Sequence, residues 1–211
     1  MSLSMVLGLG ILLGMQHATE ADHLAAVATL VGRERSLRGG LRHGVAWGLG
    51  HTLTLLLVAG GVGLAGWVIS PELAARLEQG VGVMLMLLGL SLVWRLWREA
   101  SAVHGELAVG QRAAPVVVPA RSLCVGMVHG LAGSAALALL VSQTLPSAGG
   151  QLVYIALFGA GSIVGMATLS LAFALSMNFT AQRLSGLHQL LNAAFAGFSV
   201  LLGLRLLWGA A

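Results

Sequence analysis

Apolar residues come in six long runs along the chain, near 3–31, 43–69, 76–97, 121–145, 150–177 and 185–208, with short polar or arginine-bearing connections between them. Crossing the ~30 Å hydrocarbon core of a bilayer takes about 20 helical residues, and each run is long enough. Transmembrane strands need only about 9–11 residues of alternating character; these runs are longer and do not alternate. The pattern predicts an all-α integral membrane protein with six transmembrane helices. Glycine, 30 residues in all, is spread within the runs, where small residues let helices approach closely.

Composition strengthens this reading. Of 211 residues, 57% are hydrophobic and 9% charged, whereas a soluble domain carries about 25% charged residues. The basic excess consists of arginines without a lysine, and they cluster between apolar runs. Arg33, Arg35, Arg38 and Arg42 fill the first connection; Arg95, Arg98, Arg112 and Arg121 flank or occupy the third; Arg183 lies in the fifth. The second, around Ser70-Pro71-Glu72, and the fourth, from Pro146 to Gly150, are nearly free of positive charge. Positive residues favour the cytoplasmic side. Connections one, three and five are therefore expected in the cytoplasm and both termini outside it, in a multi-pass protein of the cell membrane. Arg76 and Arg205 depart from the rule. Arginines distributed in this way report orientation rather than a nucleic-acid footprint. Cys124 is a single cysteine, which leaves no internal disulfide. The first run lacks a basic leader and reads as a retained span, not a signal peptide.

The two halves look related. Gly14-Met15-Gln16-His17 recurs as Gly126-Met127-Val128-His129, an offset of 112 residues. Trp47-Gly48-Leu49-Gly50-His51 resembles Phe158-Gly159-Ala160-Gly161-Ser162 at offset 111, and Leu87-Leu88-Gly89-Leu90 matches Leu201-Leu202-Gly203-Leu204 at offset 114. Each half holds an odd number of spans, so the expected fold is two inverted three-helix repeats, residues 1–97 and 121–211, joined by a cytoplasmic linker over 98–120 that contains Pro115 and Pro119. Inverted repeats are a transporter architecture, with the site near the midplane where they meet.

Candidate chemistry lies inside the first run, in His17-Ala18-Thr19-Glu20-Ala21-Asp22-His23. An acidic side chain at the centre of a spanning helix costs about 2.5–3.5 kcal/mol on insertion, so such residues usually line a pathway or bind something. Imidazole with carboxylate is also a ligand set for divalent transition metals. At about 100° per residue, His17, Glu20 and His23 form one ridge while Asp22 points away from it by more than about 90°. Either Asp22 supports a histidine of a neighbouring helix, or the helix is unwound here. The competing reading is an interhelical polar network that only holds the bundle together, and it is stronger for Glu20 than for the other three.

His51, in Gly50-His51-Thr52, sits at a similar depth in the second span, and His129 occupies the repeat position of His17. The candidate metal residues are thus His17, Asp22, His23, His51, Glu20 and His129. Ser134 and Ser162 read equally well as packing serines. Glu78, which pairs with Asn192 across the repeats, reads as interfacial, as do His43 and His188. His104 and Glu106 read as solvated linker residues. Met15 and Met127, each two residues before a histidine, form a second-rank candidate pair.

His17-x4-Asp22-His23, within Gly-Met-Gln-His-Ala-Thr-Glu-Ala-Asp-His-Leu-Ala-Ala-Val, resembles the signature of the nickel/cobalt transporter family. Gly50-His51-Thr52 looks like that family's second histidine motif, and His129-Gly130-Leu131-Ala132-Gly133-Ser134 resembles small bacterial members described as nickel permeases or urease-accessory-like proteins. The resemblance implies a multi-span permease moving Ni²⁺ or Co²⁺, with His17, Asp22, His23 and His51 at the matching metal-handling positions. Two departures stand out. Larger members carry a further span before the His-x4-Asp-His helix, and they have acidic motifs in later spans, whereas spans four to six here contain no Asp or Glu.

The expected function is a membrane permease for divalent transition-metal ions, nickel first and cobalt next. The alternative is a non-transporting membrane accessory that holds metal for urease or hydrogenase maturation. Neither a Gly-x4-Gly-Lys-[Ser/Thr] nucleotide motif nor a His-Glu-x-x-His zincin motif occurs, so no enzyme activity is expected. The expected partners are the divalent metal ion and the lipid bilayer, not nucleic acid; a homo-oligomer stays open. No cofactor is expected, because the metal is the transported substrate.

Overall fold

Where glycines recur four residues apart on a helix, a neighbouring backbone can lie almost against them, and this chain packs its helices through such positions. In a computed structural model, described for residues 3–32, 34, 36–65, 70–102, 118–131, 145 and 147–209, all regular structure among the described residues is helical. The helices are α1 (Leu3–His17), α2 (Ala21–Val31), α3 (Leu37–Ala65), α4 (Pro71–Ala102), α5 (Val118–His129), α6 (Ala148–Arg183) and α7 (Ser185–Gly209). Among the described residues three segments, Pro71–Glu99, Ala148–Arg183 and Gly186–Gly209, are long and apolar enough to cross a membrane on their own.

Four helix pairs carry most of the packing: α3 with α5, α1 with α6, α4 with α7, and α3 with α6. A methyl group at Gly126 of α5 would overlap the carbonyl oxygen of Trp47 on α3, and one at Gly130 would meet the carbonyl of His51. His43, earlier on α3, touches Ser122, earlier on α5, so the two helices run parallel. Gly14 of α1 lies against the Phe158 carbonyl of α6 just as closely, and Gly165 meets Ala18 beyond the end of α1; this pair is parallel too. In the third pair Gly82 meets Gly203 while Gly89 meets Ala196, so α4 and α7 are antiparallel. The core sits around α2: Ala25, Ala26 and Val27 pack with Trp47 of α3, Val81 and Leu85 of α4, Val125 of α5 and Met166 of α6.

The first apolar run, over 3–31, is not one continuous helix. It breaks between His17 and Ala21, and local hydrogen bonding explains why. Thr19 donates its hydroxyl to the Gln16 carbonyl at 2.6 Å, and its amide bonds the same oxygen at 2.9 Å, so the ladder tightens and stops. Glu20 then turns extended (φ −64°, ψ 154°) and opens α2. Residues 98–102 and 118–120 of the expected linker are helical, as the ends of α4 and α5; 103–117, with His104, Glu106 and Arg112, lies outside the described residues. The fourth run ends its helix at His129, with 132–144, including Ser134, likewise outside them.

Candidate metal centre

The break in the first run sets the geometry of the site. His17 is the last residue of α1, and Asp22 and His23 stand in the first turn of α2, where the positive end of the helix dipole favours a carboxylate. His51 comes from the middle of α3 and His129 from the last turn of α5. Four imidazoles from four helices thus converge. The ring centroid of His23 lies 4.5 Å from that of His17, 5.5 Å from His51 and 4.4 Å from His129, while His17 and His51 are 5.1 Å apart. His23, His51 and His129 are fully buried and His17 nearly so.

Two carboxylates hold three of these rings. His17 Nδ1 donates to Glu20 Oε1 at 2.9 Å, His23 Nδ1 to Asp22 Oδ1 at 3.0 Å, and His129 Nε2 to Asp22 Oδ2 at 3.1 Å. The His23 amide donates to Asp22 Oδ1 as well, at 2.9 Å. An ionised carboxylate only accepts, so each bonded ring nitrogen carries the proton and the opposite nitrogen of a neutral ring is a bare lone pair. Those opposite atoms, His17 Nε2, His23 Nε2 and His129 Nδ1, are buried and have no hydrogen-bond partner among the described residues, nor has either nitrogen of His51. Buried polar atoms ordinarily find a partner; a metal ion is a partner that suits a converging set of bare imidazole nitrogens. Donor atoms of His17, His23 and His51 lie within 4.8 Å of one another, and so do those of Asp22, His23 and His129.

Asp22 therefore does not point away, as a straight helix requires. The break turns α2 so that one carboxylate spans its neighbour His23 and, on α5, His129. Both options left open by the residue pattern, a support for a neighbouring histidine and an unwound helix, occur together. Glu20 leaves the expected ridge and orients His17 from a half-exposed position. Aromatic rings wall the cluster: Trp47 stacks on His23 at 5.3 Å and meets His129 edge-on at 5.6 Å, and Phe158 lies 5.4 Å from His17. Trp47 carried no functional signal in sequence beyond its place in the repeat, although His43, Trp47 and His51 recur every four residues on one face of α3.

Other candidates fall elsewhere. His43 is buried between helices: its Nδ1 pairs with Ser122 Oγ at 2.6 Å and its Nε2 lies 3.7 Å from Glu34. At the same arginine-bearing end, Asn192 of α7 is buried and pairs with His188 at 3.1 Å. Ser162 packs by donating to the Gly14 carbonyl at 3.2 Å. Met15 and Met127 are exposed, away from the buried histidines.

Residues 3–122 match the family of high-affinity nickel-transport proteins, NicO. The urease accessory protein UreH of Bacillus sp. (strain TB-90) is 36% identical over 186 residues, covering 85% of this chain and 80% of that protein. No solved structure matches.

Proposed function

The chain belongs to the high-affinity nickel-transport family, and from that premise we propose that it is a membrane permease for divalent transition-metal ions, with nickel favoured and cobalt next. The observation that carries this reading is the set of bare imidazole nitrogens on His17, His23 and His51, converging in a buried place with carboxylates behind two of the rings. Carboxylate-backed histidines are oriented and more basic ligands. A site of imidazole, carboxylate and water binds firmly enough to select an ion and weakly enough to release it, unlike a closed thiolate cage. Such ligands also accept Cu²⁺ and Zn²⁺, so selectivity rests on geometry and metal availability.

The same reading takes the chain as six spans in two inverted halves. Reciprocal contacts support it. Gly14 packs on Phe158 and Gly126 on Trp47; adding 112 to 14 gives 126, and adding 111 to 47 gives 158, so each contact is the other with the halves exchanged. Gly89 on Ala196 and Gly82 on Gly203 exchange in the same way at offset 114. The parallel α1–α6 and α3–α5 pairs and the antiparallel α4–α7 pair are what alternating spans require. Rocking of one half against the other then gives alternating access to the histidine cluster, and the arginine-rich connections put both termini outside the cytoplasm.

A second reading, a metal-holding accessory for urease maturation, draws on the similarity to UreH. Ni²⁺ flux into proteoliposomes separates the two. Saturable flux in the wild type, lost in His17→Ala, Asp22→Asn and His51→Ala, is the expected result. Metal binding without flux overturns the permease and favours the accessory.

A further inference from the structure

The five central residues divide into two donor sets rather than one. His17, His23 and His51 form the first, and Asp22, His23 and His129 the second. His23 belongs to both. The first set lies wholly on α1, α2 and α3, in the first half of the chain, and consists of imidazoles alone. The second joins α2 to α5, across the two halves, and includes the Asp22 carboxylate. The rings of His17 and His51 approach each other and His23, while His129 approaches His23, with Trp47 against both His23 and His129.

We infer that the cluster is two overlapping ion positions that share His23 and exclude each other, so that the transported ion steps from an all-imidazole position within the first half to a carboxylate-bearing position that bridges the halves. This inference rests on the permease reading above.

The exclusion follows from imidazole chemistry. A neutral ring has one bare nitrogen and one N–H. With the His23 proton on Nδ1, hydrogen-bonded to Asp22 at 3.0 Å, the free Nε2 serves the first position together with His17 and His51. To serve the second position, His23 offers Nδ1 and the proton resides on Nε2. His129 makes the matching exchange, since its Nε2 now gives its proton to Asp22 at 3.1 Å and its Nδ1 is bare. Both changes are tautomer exchanges within a ring, so the net proton count is unchanged. The ion takes the place of the two hydrogens that Asp22 now accepts, and its charge meets a carboxylate instead of a neutral set. An ion in the second position ties α2 to α5. Occupancy of that position, unlike the first, thereby bears on how the two halves sit against each other.

The test uses the full-length protein, purified and reconstituted, with Ni²⁺ as the probe. Equilibrium dialysis reads stoichiometry, X-ray absorption reads the donor set, and vesicle flux reads transport. Wild type should bind one ion per chain. His51→Gln, which disables the first position, should still bind one ion with a carboxylate among its donors. Asp22→Asn, which disables the second, should bind one ion with imidazole donors and no carboxylate. Each should lose flux more than tenfold, because stepping needs both positions. The double variant His51→Gln/Asp22→Asn should bind none. Two ions bound together in the wild type overturn the inference without recourse to any variant, and so does an identical donor set in the two single variants. An absence of nickel flux in the wild type overturns the permease reading instead, while the two donor sets still decide whether there are two positions.

Discussion

Asp22 and His129 stand 107 positions apart in the chain and meet at 3.1 Å, with the Asp22 carboxylate accepting from Nε2. The same carboxylate takes the ring N–H and the backbone N–H of His23. One acidic side chain in the first half therefore aligns a histidine from each half. A largely buried carboxylate in this role is costly to leave unpaired, and its partners define which way the bare nitrogens face.

Removing His129 leaves one Asp22 oxygen without its donor. His129→Ala should destabilise the protein by about 1–3 kcal/mol, measured as a lower midpoint of thermal unfolding in detergent. An unchanged midpoint would show that water replaces the lost bond.

His51 should behave in the opposite way. Both of its ring nitrogens are buried and unpartnered among the described residues, so the folded protein carries their desolvation without return until an ion arrives. His51→Leu should keep or raise thermal stability while abolishing nickel flux. This pairing of stability with lost activity is what a functional rather than structural residue produces, and a marked loss of stability would assign His51 to the scaffold.

Nickel should stabilise the wild type against unfolding through the same cluster. At a hundredfold excess over its dissociation constant, an ion that binds only the folded form contributes about 2.7 kcal/mol. A melting-temperature shift should appear with Ni²⁺ in the wild type and vanish in His23→Ala, whose side chain belongs to both donor sets.

Close helix contact at Gly126 leaves no room for a side chain. Gly126→Val would drive a methyl into the Trp47 carbonyl, and overpacking of this kind costs about 1–3 kcal/mol; thermal unfolding should register it together with reduced flux, since Trp47 also stacks on His23. Gly8→Ala is the control. Nothing lies within 4 Å of the added methyl, and alanine is the better helix former, so its midpoint should hold or rise.

Acid should weaken nickel binding. Imidazole coordinates metal only when unprotonated, so protons compete with the ion for each ring and the apparent affinity falls as pH falls. The slope of log affinity against pH should be shallower in His17→Gln, where one competing imidazole is gone. Equal slopes would remove His17 from the ligand set.

Much of the architecture was legible in the residues. The apolar runs over 76–97, 150–177 and 185–208 became α4, α6 and α7 with ends shifted by up to six residues, because a run of apolar residues with polar flanks admits little but a helix in a bilayer. The histidines and carboxylates of the first run announced themselves through their cost in that setting. Their arrangement was not legible. Regular 100° spacing sends Asp22 away from His23's neighbours, and the break that reverses this depends on Thr19 taking the Gln16 carbonyl, a local competition that average helical periodicity does not register. His43 shows the same limit: its place beside an arginine run says nothing of its packing, and its burial follows from Ser122, 79 residues later.

Composition and periodicity thus determined a membrane-embedded helical chain with an expensive cluster of metal-type ligands in its first span, because the costs of burying charge and backbone in hydrocarbon act on every residue locally. Which nitrogen of each histidine is bare, which carboxylate holds which ring, and how Trp47 and His129 close the cluster were decided only by the tertiary structure. Those properties depend on backbones meeting at Gly14, Gly126 and Gly130, contacts between distant parts of the chain that local pattern does not encode.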